Sequence, residues 1–189
     1  MLSVSLWLYL LPLLILPACQ TLSRMVIEND PARGQEHVKL GLSYEQAGDW
    51  PAAQAEFERA TRLDEKNAQA WLGLGNADRA LAKPRPALKC YEKAHELSPG
   101  DAEILNELAL GYLGLGKLDQ ALSAADQAVA LDGANLPYYL FTRGRVKLRQ
   151  GDRAGALQDL RAAMIQAPED AEPLRQDIAQ HLKEAEAGP

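Results

Sequence analysis

The chain has 189 residues, with 20 Lys+Arg against 26 Asp+Glu and a formal charge of −6. That length suits one domain with a continuous core. The mildly acidic balance offers no basic stripe to displace counterions from phosphates, which argues against a nucleic-acid partner. Aromatic residues make up only 6% of the chain while Ala and Leu dominate, a composition that favours helix over sheet.

Residues Met1 to Ala18 carry no charged side chain, and the apolar stretch LSVSLWLYLLPLLILPA ends at Cys19. A run this short is marginal for crossing a hydrocarbon core, which needs roughly 20 residues. It fits the apolar region of a secretory signal peptide better. Leu16-Pro17-Ala18-Cys19 resembles the lipobox of bacterial lipoproteins. The resemblance implies a signal peptide over 1–18 and a lipidated Cys19 that opens the mature chain. It also implies release to the periplasmic face of the outer membrane, because Gln20 rather than Asp follows the Cys. Pro17 and the lack of a Lys or Arg before the apolar run depart from the pattern. They keep open an uncleaved inner-membrane anchor with Cys19 unmodified. With Cys19 lipidated, Cys90 has no partner and no disulfide framework exists. Residues 19–33 then read as a tether.

The rest of the chain repeats with a period of 34. Gly48, Ala82, Gly116 and Gly151 fall in one column; Ala53, Ala87, Ala121 and Ala156 in a second; Ala60, Ala94, Ala128 and Ala163 in a third. Asn67, Asp101, Asn135 and Asp170 form a fourth, and Gly41, Gly75, Ala109 and Gly144 a fifth. All five place a single inserted residue between Asn135 and Gly144, most simply at Leu136-Pro137. The columns resemble the tetratricopeptide repeat (TPR). Leu40-Gly41, Tyr44, Phe57 and Ala60 carry the likeness in the first unit, and Trp71, Leu74-Gly75, Tyr91, Ala94 and Pro99 in the second. Asp78 and Lys147 depart from the first aromatic column, and Ala125 from the second. The units run 34–67, 68–101, 102–136 and 137–170.

Each unit reads as two amphipathic helices with apolar residues at i, i+3, i+4 and i+7. Small residues at the inter-helix columns let backbones approach closely. The Asn/Asp column is expected to cap the N–H groups of each new helix. Residues 171–189 hold one more helix and a tail, with Ile178 and Leu182 inward, which closes the open end of a solenoid. The expected fold is all-α: four helix-turn-helix repeats plus a C-terminal capping helix. The family resemblance adds the right-handed superhelix.

The sequence carries no phosphate-binding loop, no nucleophile elbow and no pair of His at metal-ligand spacing among His37, His95 and His181. No catalytic residue, metal or cofactor is expected. The family binds ligands in a concave groove lined by the first helix of each repeat. Carried over repeat by repeat, the resemblance implies a peptide-binding groove. Asn76 and Arg79 come from the second unit, Asn106, Leu110 and Leu113 from the third, and Tyr138, Phe141, Arg145 and Arg149 from the fourth. Asn can pair with both N–H and C=O of an extended peptide, and Arg can hold carboxylates. Exposed Tyr138, Phe141 and Leu side chains would mark the interface. The chain is therefore expected to be a lipid-anchored scaffold for other envelope proteins, resembling the small repeat lipoproteins of pilus and secretin assembly. The alternative is a non-catalytic accessory subunit or adaptor of an envelope enzyme system (peptidoglycan, polysaccharide export or cytochrome maturation).

Overall fold

Local sequence punctuates the chain into helices at almost every turn of the repeat. In a computed structural model, residues 30–131 and 133–187 are described. Among them the chain forms nine α-helices: α1 (Pro31–Gln46), α2 (Trp50–Leu63), α3 (Ala68–Ala80), α4 (Pro84–Leu97), α5 (Ala102–Gly114), α6 (Leu118–Leu131), α7 (Leu136–Gln150), α8 (Arg153–Gln166) and α9 (Glu172–Ala187). The signal peptide over 1–18, Cys19 and most of the tether lie outside the described residues. The helical domain starts earlier than the repeat register, because Asp30 accepts from Arg33 N–H at 3.2 Å and Pro31 opens the first turn.

The expected capping column is filled in two of four places. Asn67 accepts from Ala70 N–H at 3.0 Å, and Asp101 from Glu103 and Ile104 N–H at 2.9 and 3.3 Å. Asn135 makes no such bond. Pro137 removes the N–H of the second helical position, and the Asn135 side chain bonds Tyr139 instead. Asp170 stands one residue further out, because α9 opens only at Glu172. A second column, Asp49, Lys83, Lys117 and Asp152, does similar work half the time. Asp49 and Asp152 accept from Ala52 and Gly155 N–H at 3.2 and 3.0 Å. The inserted residue lies inside α7 before Gly144, which follows the helix start by one residue more than Gly75 or Ala109 does.

Within each repeat the two helices pack against each other, and each second helix packs on the first helix of the next unit. Contacts of α1 with α3, α5 with α7 and α7 with α9 line up the first helices along one inner face. The Ala53, Ala87, Ala121 and Ala156 column is buried throughout, as is the Ala60, Ala94, Ala128 and Ala163 column.

The turn column needs a left-handed backbone. Gly48, Gly116 and Gly151 adopt it with φ of 74°, 72° and 86°; Ala82 adopts it at 57° with a Cβ that opposes it. Ala82→Gly is expected to stabilise the fold by about 0.5–1 kcal/mol, since strain is relieved but unfolded-state entropy rises. A lower urea midpoint in the variant would contradict this.

Candidate interaction groove

Columns of the first helices run along the inner face. The innermost, Val38, Leu72, Asn106 and Phe141, is buried at every position. In the first two repeats it is apolar and belongs to the core. In the last two it opens onto space. A cavity of ≈ 330 Å³ lies between α5, α7 and α9, walled by Asn106, Glu107, Leu110, Tyr138, Phe141 and Arg145 with Pro173, Leu174 and Asp177 of the last helix. A second space of ≈ 250 Å³, between α5 and the start of α7, shares Asn106, Glu107 and Tyr138 with it.

Five of the residues assigned to the groove from sequence are thus brought together: Asn106, Leu110, Tyr138, Phe141 and Arg145. The other four stand elsewhere. Leu113 is buried with Ala121 and Val146 in the core between helices, so it offers no groove surface. Arg149 is exposed and does not wall either space. Asn76 is held in an internal network, and Arg79, half-exposed, stands at its edge. Asn76 Nδ2 donates to Glu45 Oε1 at 3.3 Å while the Tyr91 hydroxyl donates to Asn76 Oδ1 at 3.1 Å. Arg79 Nε donates to the Tyr91 hydroxyl at 3.2 Å, and its other end reaches Glu107 Oε2 at 3.4 Å. An Asn with both amide atoms engaged cannot grip a peptide backbone without giving up those partners.

Phe141 departs from its expected exposure. It is 8% exposed, with the His181 ring edge-on at 5.2 Å and the Arg145 guanidinium 5.4 Å from its centroid. The capping helix lies across it, so truncating Phe141 removes packing as well as groove wall. Tyr138 is the exposed aromatic, at 45%.

The charges of the groove are strained by partial burial. Burial pushes the Glu107 carboxyl above the usual carboxylate range, and Arg79 offsets this only in part. Burial also raises Glu45 and Glu103, with Asp101 adding to the effect on Glu103. Arg145 is held below the ordinary guanidinium range by burial, against the attraction of Asp177 and with the repulsion of Arg149 and Arg79. Such groups gain from a partner of opposite charge.

Glu107 and Asp177 carry no sequence mark of a groove, because Glu107 lies outside the columns that the resemblance assigns to it and Asp177 lies on the helix that closes the solenoid. Asn106 beside Glu107 is the available signal, a polar residue in a column that is otherwise Val, Leu and Phe. Elsewhere, Cys90 is buried, and burial, with Asp78 and Glu58, pushes its thiol up to about 12. It is a protonated packing residue at neutral pH. Among the described residues, no three His, Cys, Asp or Glu side chains are grouped to hold a metal ion.

A family model of the tetratricopeptide repeat matches residues 38–81 and 74–135, more than half of the chain. The chain belongs to the tetratricopeptide repeat family. It is 30% identical over 153 residues to mouse superkiller complex protein 3, covering 76% of this chain and 10% of that protein. It is 29% identical over 146 residues to the rice DnaJ protein P58IPK homolog B, covering 69% and 31%. The chain thus spans a third or less of either relative. Among solved structures it is similar to Pseudomonas aeruginosa pilF (TM-score 0.69, 20% identity, 80% of this chain and 68% of that one). It is also similar to YrrB, a TPR protein with an unusual peptide-binding site (0.65, 22%, 88% and 87%). At these identities the structural likeness establishes the TPR fold, a scaffold suited to protein–protein interaction.

Proposed function

We propose that this chain is a lipid-anchored interaction scaffold. Its α5–α7–α9 groove holds a segment of another envelope protein and so assists assembly or stability of a pilus- or secretion-type complex. The observation that carries the reading is the groove itself: a solvent-open space walled by an exposed Tyr, an apolar Leu–Phe floor and charged groups without full partners. That is the anatomy of a recognition surface, where aromatic and Arg side chains anchor a partner. The TPR protein YrrB has a peptide-binding site, and a TPR domain of Spaghetti binds an HSP90 peptide. The Leu16-Pro17-Ala18-Cys19 sequence favours an envelope setting over a cytosolic one.

Metabolic labelling with palmitate is expected to mark the wild-type chain, and Cys19→Ser to abolish both the label and membrane retention. A substituted protein that stays membrane-bound at its full precursor mass would establish the uncleaved anchor instead. In the same cells, a photocrosslinker at Tyr138 is expected to capture a discrete partner, whereas one at exposed Arg62 on α2 is not. Equal yields from both positions would remove the groove from the proposal.

A further inference from the structure

The smaller space between α5 and the start of α7 has a one-sided chemistry. It is walled by Glu103, Asn106, Glu107, Asn135, Tyr138 and Tyr139, with no Lys or Arg and no aliphatic side chain. Asn106, only 8% exposed, uses Nδ2 toward Glu107 Oε1 at 3.5 Å, which fixes the amide's orientation. The reverse orientation would set Asn106 Oδ1 against a carboxylate oxygen. Asn106 Oδ1 is left buried and without a donor. Glu107 Oε2 is likewise buried without a hydrogen bond, since Arg79 approaches at 3.4 Å outside hydrogen-bond geometry. Two buried acceptors beside a second carboxylate call for a guest that only donates. Lys, Arg and Trp side chains donate without accepting; of these only Lys and Arg bring a positive charge to the Glu103 and Glu107 carboxylates, and the exposed face of Tyr138 can cover a cation.

We propose that this pocket takes a lysine or arginine side chain from the partner polypeptide, with Asn106 and Glu107 accepting its N–H groups, Glu103 countering its charge and Tyr138 covering it. The inference rests on the interaction reading above and names the partner's chemistry: a basic segment, met by a chain of net charge −6. Burial holds both Glu103 and Glu107 above the ordinary carboxylate range, with Asp101 pressing on the first and Glu103 on the second. A cation between them relieves that repulsion. The absence of a three-residue metal group among the described residues favours a side-chain cation over a bare metal ion.

Four dye-labelled octapeptides with identical neutral flanks and a central Lys, Arg, Gln or Glu test the proposal. Binding is read by fluorescence anisotropy to the purified full chain in detergent. The Lys and Arg peptides are expected to bind roughly tenfold more tightly than the Gln and Glu peptides, with the preference shrinking at high salt. Glu103→Gln with Tyr138→Ala is expected to reduce the preference at least about threefold, with Asn106 and Glu107 left in place, at an unchanged melting temperature, because both substituted side chains are exposed. Equal binding of the four, preference for Glu, no binding by any, or a Lys preference undiminished in the double variant would overturn the pocket. Photocrosslinking from Tyr138 in cells reports separately. A captured partner without a basic preference in vitro removes this inference and leaves the scaffold reading standing.

Discussion

Asp159→Ala is expected to cost about 3 kcal/mol of folding stability, the low end of the roughly 3–5 kcal/mol for breaking a buried ion pair from one side. Asp159 on α8 is 3% exposed and accepts from Arg143 Nε and Nη2 at 2.8 and 2.7 Å and from Lys147 Nζ at 2.7 Å. Removing it leaves two cations facing a pocket that no longer holds a negative charge. Their side chains are 20% and 19% exposed and can turn partly toward water, and Arg143 keeps Asp126 at 3.1 Å. Those routes of relief set the low end. Burial by itself would raise the Asp159 carboxyl; the hydrogen bonds and charges of Arg143 and Lys147 outweigh it, and the net effect is a lowered value. A lowered carboxylate contributes stability that is complete above the ordinary aspartate value of about 3.9 and is lost as pH falls through the lower folded value. Urea melts at pH 7 and pH 3 should therefore show the variant's deficit shrinking in acid. A variant within about 0.5 kcal/mol of wild type at pH 7, the scale of ordinary surface substitutions, would show the cluster to be dispensable.

That cluster also explains why the repeat pattern breaks where it does. Tyr44, Asp78, Tyr112 and Lys147 share one column of the first helices, and Glu56, Cys90, Ala124 and Asp159 share a column of the second. In the fourth repeat both columns become ionic and the two residues meet. In the second, Asp78 is buried and finds Gln54 Nε2 at 2.7 Å and Lys83 Nζ at 3.8 Å, so its partners come from the turn and the preceding repeat. The departures were legible as departures. Their partners were not, because contact across 12 to 24 residues depends on which faces meet.

The helical architecture was legible for the opposite reason: it rests on columns, and a column averages over four units. The groove does not average. Its five converging residues were chosen by register, and register places a residue on a helix face without saying what lies across that face. Phe141 and His181 meet because α9 folds over α7. Leu113 turns into the core because Val146 of the next repeat fills the space beside it. Asn76 and Arg79 are held by Tyr91, a residue of the second helix that reads in sequence purely as a packing aromatic.

The largest loss of stability is expected from Phe57→Ala, about 3–5 kcal/mol for emptying a fully buried ring site. Phe57 lies on α2 with no exposed surface, and two glycines exist to receive it. A Cβ at Gly41 would stand 2.7 Å from the ring, and one at Gly73 would collide with it outright. The same exchange runs along the solenoid. Tyr91 occupies the ring column in the second repeat and bars a Cβ at Gly75. Leu160 occupies it in the fourth, 2.9 Å from a Cβ at Gly144. In the third repeat the ring is lost to Ala125, and there the glycine column becomes Ala109, packed in the same cluster. Ring size and glycine thus trade against each other at one inter-helix contact. The trade predicts coupling as well as loss. Gly73→Ala alone should cost about 1–3 kcal/mol by overpacking, yet in the background of Phe57→Ala the added methyl enters a vacated space. The double variant should therefore be more stable than the sum of the two losses by at least about 0.5 kcal/mol, the size of coupling seen between residues in contact. Denaturant melts of the four proteins in the cycle measure it. Strict additivity would mean that Phe57 does not rest against Gly73, and the packing of α2 on α3 through that ring would fall with the contact.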